Sequence, residues 1–290
     1  MICLPSHRLL AASIILLAAH ARVHAGEPTS FRSLSDVIYK TGESMTTYEE
    51  ERCKLDVYLP KTGKDWPVLI WFHGGGLKNG DKRGTPNDGV KTEKIAASLA
   101  DAGVAVVCPN YRFSPKVTFP AYLEDAAASV AWAKNHLGGH GADVARLYVG
   151  GHSAGGYIAL MLGLDDGFLG GKGIELGDVT GFIPVSGQTM THYTVREERG
   201  IGKYTVTADE AAPVYHLRKD SPPFLVIYGG NDLPARANEN EYFIDMMKAA
   251  GHKQTTGLMV KDRTHGTIAS EIASEGDPAR EAMLHFMGAK

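Results

Sequence analysis

Three runs of five apolar residues constrain this chain most: Val68-Leu69-Ile70-Trp71-Phe72, Val104-Ala105-Val106-Val107-Cys108 and Phe224-Leu225-Val226-Ile227-Tyr228. A strand with one face in water alternates apolar and polar side chains, whereas a strand covered on both faces is apolar at every position. Leu147–Val149, Phe182–Val185 and Thr256–Val260 read as three shorter strands. Residues 35–59 read as two more, the second being Cys53–Leu59 with apolar residues alternating. Helical stretches fall between them. Residues 88–101 carry Ile95, Leu99 and Ala102 at helical spacing, and 121–136 carry a stripe of Leu123, Ala127, Val130 and Ala131, with Pro120 placed for a first helical position. Ala154–Leu164, Tyr242–Ala250 and Ala279–Phe286 complete the set. Buried strands alternating with helices predict an α/β fold, a mainly parallel eight-stranded sheet with helices on both faces. The one long irregular insertion, about 188–221, follows the sixth strand, where a lid or pocket wall is expected.

The first 25 residues have the pattern of a secretory signal peptide. Arg8 supplies the basic start and Leu9–Ala19 the apolar centre. Val23-His24-Ala25 places small residues three and one before a cut ahead of Gly26. The apolar centre is too short for a lasting membrane span. We therefore expect export, to the periplasm or beyond, and one globular domain over residues 26–290, with no stable membrane association after cleavage. The whole chain has a net charge of −3, and loss of Arg8 and Arg22 leaves 28 basic residues against 33 acidic ones, a net charge of −5. Neither value gives an electrostatic reason to bind nucleic acid. Cys53 and Cys108 remain after the cut, either as one disulfide or as two buried thiols.

The chemistry-bearing signal is Gly151-His152-Ser153-Ala154-Gly155, a G-x-S-x-G sequence after a strand and before a helix. A turn that sharp leaves no room for side chains two residues either side of the serine. It lifts the hydroxyl out at a helix N-terminus, where backbone N–H groups favour negative charge. A second signal, His73-Gly74-Gly75-Gly76, follows the buried run 68–72 and can turn backbone N–H groups toward a carbonyl oxygen. It lacks the G-K-[ST] of a phosphate-cradling loop. A serine hydroxyl needs a base, and the base needs an orienting carboxylate. In chain order Ser, acid, His, the candidates are Ser153, Asp232 in the loop after 224–228, and His265 past the last strand. Glu239 and Glu241 fall in or beside a helix, and Asp262 is too near His265. Of 12 histidines, His73 and His152 read as loop-ordering groups, and His192, His216 and His252 have no positional claim. No H-E-x-x-H or Cys/His cluster has metal-ligand spacing, so neither metal nor cofactor is expected.

Together, HGGG at 73–76, GHSAG at 151–155, Asp232 and His265 resemble the hormone-sensitive-lipase-like branch of α/β-hydrolases. That branch includes carboxylesterases and compact feruloyl and acetyl-xylan esterase relatives. The resemblance implies an α/β-hydrolase fold, an oxyanion hole from the N–H groups of Gly75, Gly76 and Ala154, and structural roles for Tyr111-Arg112, Pro120 and Asp125. It also implies a serine carboxylic-ester hydrolase for small-molecule, carbohydrate or aromatic esters. An amidase, peptidase or formamidase on the same groups is the alternative, and a silent binding module a more distant one. His73 would be only the 48th residue after the cut, leaving no room for a large N-terminal helical cap. The acid lies in Asp232-Leu233-Pro234, where the family often has Asp-Pro-Leu. The family's strand order also sets the stretch from Cys53 antiparallel to the one ending at Cys108, which implies a Cys53–Cys108 disulfide in an exported protein.

Overall fold

The computed structural model describes residues 31–42, 45–85 and 89–289; the expected signal peptide, residues 1–25, lies outside them. In chain order the strands are β1 (Phe31–Ile38), β2 (Lys54–Pro60), β3 (Trp66–Phe72), β4 (Ala105–Pro109), β5 (Ala142–His152), β6 (Gly181–Val185), β7 (Phe224–Asn231) and β8 (Thr255–Thr264). The α-helices are α1 (Thr47–Arg52), α2 (Thr92–Asp101), α3 (Ala121–His136), α4 (Ala154–Leu164), α5 (Asp166–Gly170), α6 (Tyr193–Glu198), α7 (Arg236–Ala249), α8 (Thr267–Ser270) and α9 (Pro278–Phe286). All eight strands form one sheet in the order β1-β2-β4-β3-β5-β6-β7-β8. The pairs β1–β2 and β2–β4 are antiparallel, and every pair from β4 to β8 is parallel. This is the α/β-hydrolase architecture.

The all-apolar runs are explained by two cores. Val68, Ile70 and Phe72 of β3 face one core with α3, α4 and α7, while Leu69 and Trp71 face the other with α2, α8 and α9. Each such side chain gains about 1.5–3 kcal/mol on leaving water, so a polar residue on either face of β3 would cost core packing. Every residue of α4 is buried, which accounts for a helix apolar all round rather than along a stripe.

The same alternation overturns the disulfide. The β2–β4 register pairs Cys108 with Asp56, three residues from Cys53, so the two side chains point to opposite faces. Cys53 is buried in one core and Cys108 in the other, both as free thiols. Burial pushes the Cys53 thiol up to about 11 and raises that of Cys108 as well.

Several boundaries differ from the sequence reading. Between β1 and β2 lies the short helix α1, closed by a capping box of Thr46 and Glu49. Pro120 stands at the cap before α3 instead of in its first turn. The strand read at 147–149 extends back to Ala142. Helix α7 starts at Arg236, before the expected Tyr242, because its first turns bury polar side chains. Arg236 Nη1 donates to the Ser186 carbonyl at 2.6 Å, and Asn240 Nδ2 to the Gly187 carbonyl at 3.0 Å. Among the described residues, no helix is long and apolar enough to cross a membrane.

Candidate active site

The parallel strands deliver the candidate residues to their C-terminal ends. Ser153 joins β5 to α4 with φ 55° and ψ −113°, a left-handed backbone rare for a residue with a side chain. Its N–H donates to the Val185 carbonyl at 2.9 Å. The flanking glycines are required by space. A Cβ on Gly151 would stand 2.5 Å from the Phe72 carbonyl oxygen, and one on Gly155 would overlap that same carbonyl. Thus β3, β5 and α4 close on each other, and the half-buried serine is left at the crest.

His265, one residue beyond β8, and Asp232, one residue beyond β7, meet this serine. His265 Nε2 lies 2.8 Å from Ser153 Oγ, and His265 Nδ1 lies 2.6 Å from Asp232 Oδ1. The Asp232 side chain is fully shielded from solvent. Ser186 Oγ donates to its other oxygen at 2.5 Å, and the Leu233 N–H donates to Oδ1 at 2.7 Å. Burial alone would raise the Asp232 pKa, yet the hydrogen bonds and charge of His265, with Ser186 and Leu233, hold it below the usual carboxylate value. An ionised Asp232 fixes the proton on Nδ1 and leaves Nε2 as an acceptor for the serine hydroxyl. This chain of bonds can carry a proton from Ser153 Oγ to His265. Glu239 is engaged elsewhere, with Thr189 and near Arg236.

The glycine loop runs against the serine, since a Cβ on Gly74 would stand 3.3 Å from Ser153 Cβ. Gly75 and Gly76 both have positive φ, and a Cβ on Gly75 would overlap the Asn79 carbonyl. Among the described residues no protein group accepts from the N–H of Gly75, Gly76 or Ala154. Tyr111 stacks on the His73 ring at 4.5 Å, and its hydroxyl donates to the His73 and Gly74 carbonyls at 2.9 and 3.3 Å. Arg112 in turn makes a two-pronged ion pair with buried Asp125, at 2.7 and 2.8 Å. The insertion 188–221 also presses on this loop. Thr194 Oγ1 donates to the Gly76 carbonyl at 2.5 Å, Glu197 is ion-paired with Lys78, and the hydroxyl end of Tyr193 fills the place where a side chain at Gly76 would stand. Elsewhere in the insertion, His192 is buried, Met190 half-buried and Tyr204 exposed.

Sequence reasoning missed Ser186 and Arg236. Ser186 supports Asp232 from the end of β6 with φ 50°, and only its place directly after a buried strand could have drawn notice. His152 and His73 order backbone, as expected. His152 Nε2 donates to the His265 carbonyl at 2.7 Å, and its ring lies 4.7 Å from that of His265. His73 Nδ1 contacts the Gly74 carbonyl at 2.7 Å. Burial pulls His152 down to about 3 and His73 to about 4.

Both histidines therefore stay neutral in the folded protein while they protonate in the unfolded chain below pH 6.5. The unfolded state binds more protons in that window, so stability is full above pH 6.5 and falls as pH drops toward 4. Between pH 6.5 and 5 most exposed carboxylates remain ionised, so the decline reports the buried histidines, His192 included, whose pKa burial also lowers. We expect the Tm to decline over that interval and a His73→Gln variant to show a shallower decline. A Tm flat from pH 7 to 5 would contradict the assignment.

Among the described residues no group of three or more His, Cys, Asp or Glu side chains is placed to hold a metal ion. The chain matches the family model BD-FAE over residues 55–172 and that of the prolyl oligopeptidase family over residues 120–287. Among curated proteins it is similar to the probable carboxylic ester hydrolase LipM of Mycobacterium tuberculosis, 31% identical over 201 residues, covering 63% of this chain and 45% of LipM. It is also similar to esterase LipC of the same organism, 24% identical over 253 residues, covering 80% of this chain and 61% of LipC. The chain thus spans about half the length of these relatives. Among solved structures, a truncated carbohydrate esterase from gut microbiota superimposes with a TM-score of 0.72 at 20% identity, covering 91% of this chain and 98% of that one. A Pyrobaculum calidifontis esterase does so with 0.61 at 22% identity, covering 81% and 79%. These structures share the fold, and since the second family model accounts for more than half of the chain, the protein belongs to the prolyl oligopeptidase family on an α/β-hydrolase fold.

Proposed function

We propose that the protein is an exported serine hydrolase of carboxylic esters. The observation that carries this reading is the bonded series Ser153–His265–Asp232 beside three unengaged backbone N–H groups. Ser153 Oγ attacks the ester carbonyl carbon as its proton passes to His265 Nε2, and the carbonyl oxygen takes the electron pair. The N–H groups of Gly75, Gly76 and Ala154 hold that oxyanion. His265, now cationic and steadied by Asp232, protonates the departing alcohol oxygen, leaving an acyl-serine. A water molecule, deprotonated by His265, then attacks the acyl carbon and releases the carboxylic acid and free Ser153.

Short-chain, carbohydrate and aromatic esters are the substrates in keeping with an insertion of modest size and with the esterases among its relatives. Membership of the prolyl oligopeptidase family favours a second reading, amide or peptide cleavage by the same residues. Initial rates on p-nitrophenyl esters of graded acyl length, beside matched p-nitroanilides and short peptides, separate the two. Ester turnover exceeding the matched amide by 100-fold or more supports the esterase, the reverse order supports the peptidase, and no turnover of either class sinks both. Export is part of the proposal: N-terminal sequencing of the secreted or periplasmic protein is expected to begin at Gly26, and an intact Met1 would overturn it.

A further inference from the structure

We propose that Thr194, supplied by the insertion after β6, is a positioning residue that holds the glycine loop in the conformation that receives the oxyanion. This inference rests on the serine-hydrolase reading above and adds to it what keeps the backbone donors aimed. Gly75, Gly76 and Leu77 have φ of 103°, 63° and 61° in succession. Glycine adopts such a backbone freely, whereas a leucine there is strained and persists only where its surroundings overrule the strain. The relief open to Leu77 is a flip of the Gly76–Leu77 peptide, which returns its φ to the ordinary negative range. In a trans peptide the carbonyl and the N–H point in opposite directions. A bond that fixes the Gly76 carbonyl therefore opposes that flip.

The carbonyls of the loop show where that bond comes from. Those of His73 and Gly74 accept from the Tyr111 hydroxyl, and that of Gly75 from the N–H groups of Lys78 and Asn79, each at 3.1 Å. The Leu77 carbonyl accepts from the Ser114 N–H at 2.9 Å. These donors all lie in the loop itself or in the segment between β4 and α3. Among the described residues the Gly76 carbonyl has one donor, Thr194 Oγ1 at 2.5 Å, and both residues are buried. A buried carbonyl without a donor is costly, so this hydroxyl weights the loop against the flip. The Lys78–Glu197 ion pair beside it is exposed and adds little. Thr194 is itself held in place. Its N–H donates to His192 Nδ1 at 3.2 Å, and Arg196 ties the Thr191 and Lys203 carbonyls together at 2.7 and 2.5 Å. Among the described residues no protein group accepts from the Leu77 N–H. A flip would replace this free donor, next in line after those of Gly75 and Gly76, with a carbonyl oxygen that repels developing negative charge. Donors held in one arrangement beforehand need no reorganisation as the Ser153 Oγ–carbon bond forms.

The alternative role for such a residue is to fasten the insertion and nothing more, and kinetics distinguish the two. Thr194→Val keeps the shape and removes the donor, and Thr194→Ser restores the donor without the methyl group. We expect kcat of Thr194→Val on a short-chain p-nitrophenyl ester to fall about 10- to 100-fold, at or below the loss of an oxyanion donor itself, with KM within about threefold of wild type. Thr194→Ser should return kcat to within about threefold of wild type, because the bond to Gly76 is re-made. Inactivation by a p-nitrophenyl phosphonate, which also builds charge on oxygen, should slow in Thr194→Val by a similar factor. The pH profile of kcat should not move, since His265 and Asp232 are untouched. Thr194→Ala provides a second removal of the hydroxyl if the valine variant folds poorly. A folded valine or alanine variant with kcat within about twofold of wild type overturns the proposal, as does a change confined to KM or a serine variant as slow as the valine one. A wild-type protein that neither hydrolyses esters nor is labelled on Ser153 by the phosphonate defeats the serine-hydrolase reading, a failure separable from that of Thr194 alone.

Discussion

Replacing Ser153 with alanine is expected to lower ester turnover by about five to six orders of magnitude in kcat, the scale on which a hydrolase loses its attacking serine. The loss should be confined to chemistry. Ser153 Oγ has its hydrogen bond with His265 and packs no core, so the substituted side chain leaves no unsatisfied buried group. The strained backbone at φ 55° is imposed by the closure of β3, β5 and α4 around Gly151 and Gly155, and alanine accepts it no worse than serine does. The Tm should therefore stay within about 2 °C of wild type, on the scale of a surface substitution in a domain of this size. Initial rates and thermal melts on the same preparations check both halves. A variant that matches wild type would show that Ser153 is not the nucleophile. A variant that loses activity together with its fold would say nothing of chemistry, and the phosphonate label on wild-type Ser153 then decides.

How much of this was legible in the sequence depended on whether burial and hydrophobicity coincide. Where they do, as in β3, β4 and α4, the strands and helices were readable almost to the residue. Where a buried segment is polar they do not. The start of α7 hides Arg236 and Asn240 among carbonyls of the β6 loop, and no apolar period marks it. Ser186 is invisible for a related reason, since its importance lies in one bond to Asp232 across 46 residues. The meeting of Ser153, Asp232 and His265 was readable because the fold brings the ends of parallel strands to one edge. The disulfide reading failed on register. Antiparallel neighbours were correctly expected, but pairing Asp56 with Cys108 gives Cys53 the opposite face, and periodicity alone does not set register. Tyr193 lies in the irregular insertion, where no apolar period marks any position. Its place at Gly76 depends on Thr194 and Glu197 docking that insertion on the glycine loop.

The second large effect expected is at Asp232. Asp232→Asn preserves volume and leaves an oxygen to accept from Ser186 Oγ, so the fold should survive. Ser186 Oγ donates to Oδ2, the oxygen turned away from His265, so it holds the amide oxygen there and leaves the amide nitrogen facing His265, at the cost of the Leu233 N–H bond to that position. An N–H facing His265 Nδ1 in place of a carboxylate oxygen makes Nδ1 the acceptor and moves the ring proton to Nε2. That nitrogen then points a hydrogen at Ser153 Oγ and cannot take its proton. The imidazolium formed in the reaction also loses its counter-charge. A wrong tautomer of this kind lowers kcat by about 10⁴ in a Ser-His-Asp enzyme, and we expect a loss of about 10³ to 10⁴ here, with KM little changed. Glu239→Gln is the matching control, because Glu239 bonds Thr189 and neighbours Arg236 instead of His265. It should stay within a few-fold of wild type. If Asp232→Asn keeps more than a tenth of the activity while Glu239→Gln loses it, the orienting acid is Glu239, and the 2.6 Å bond from His265 to Asp232 would not be the one that matters in turnover.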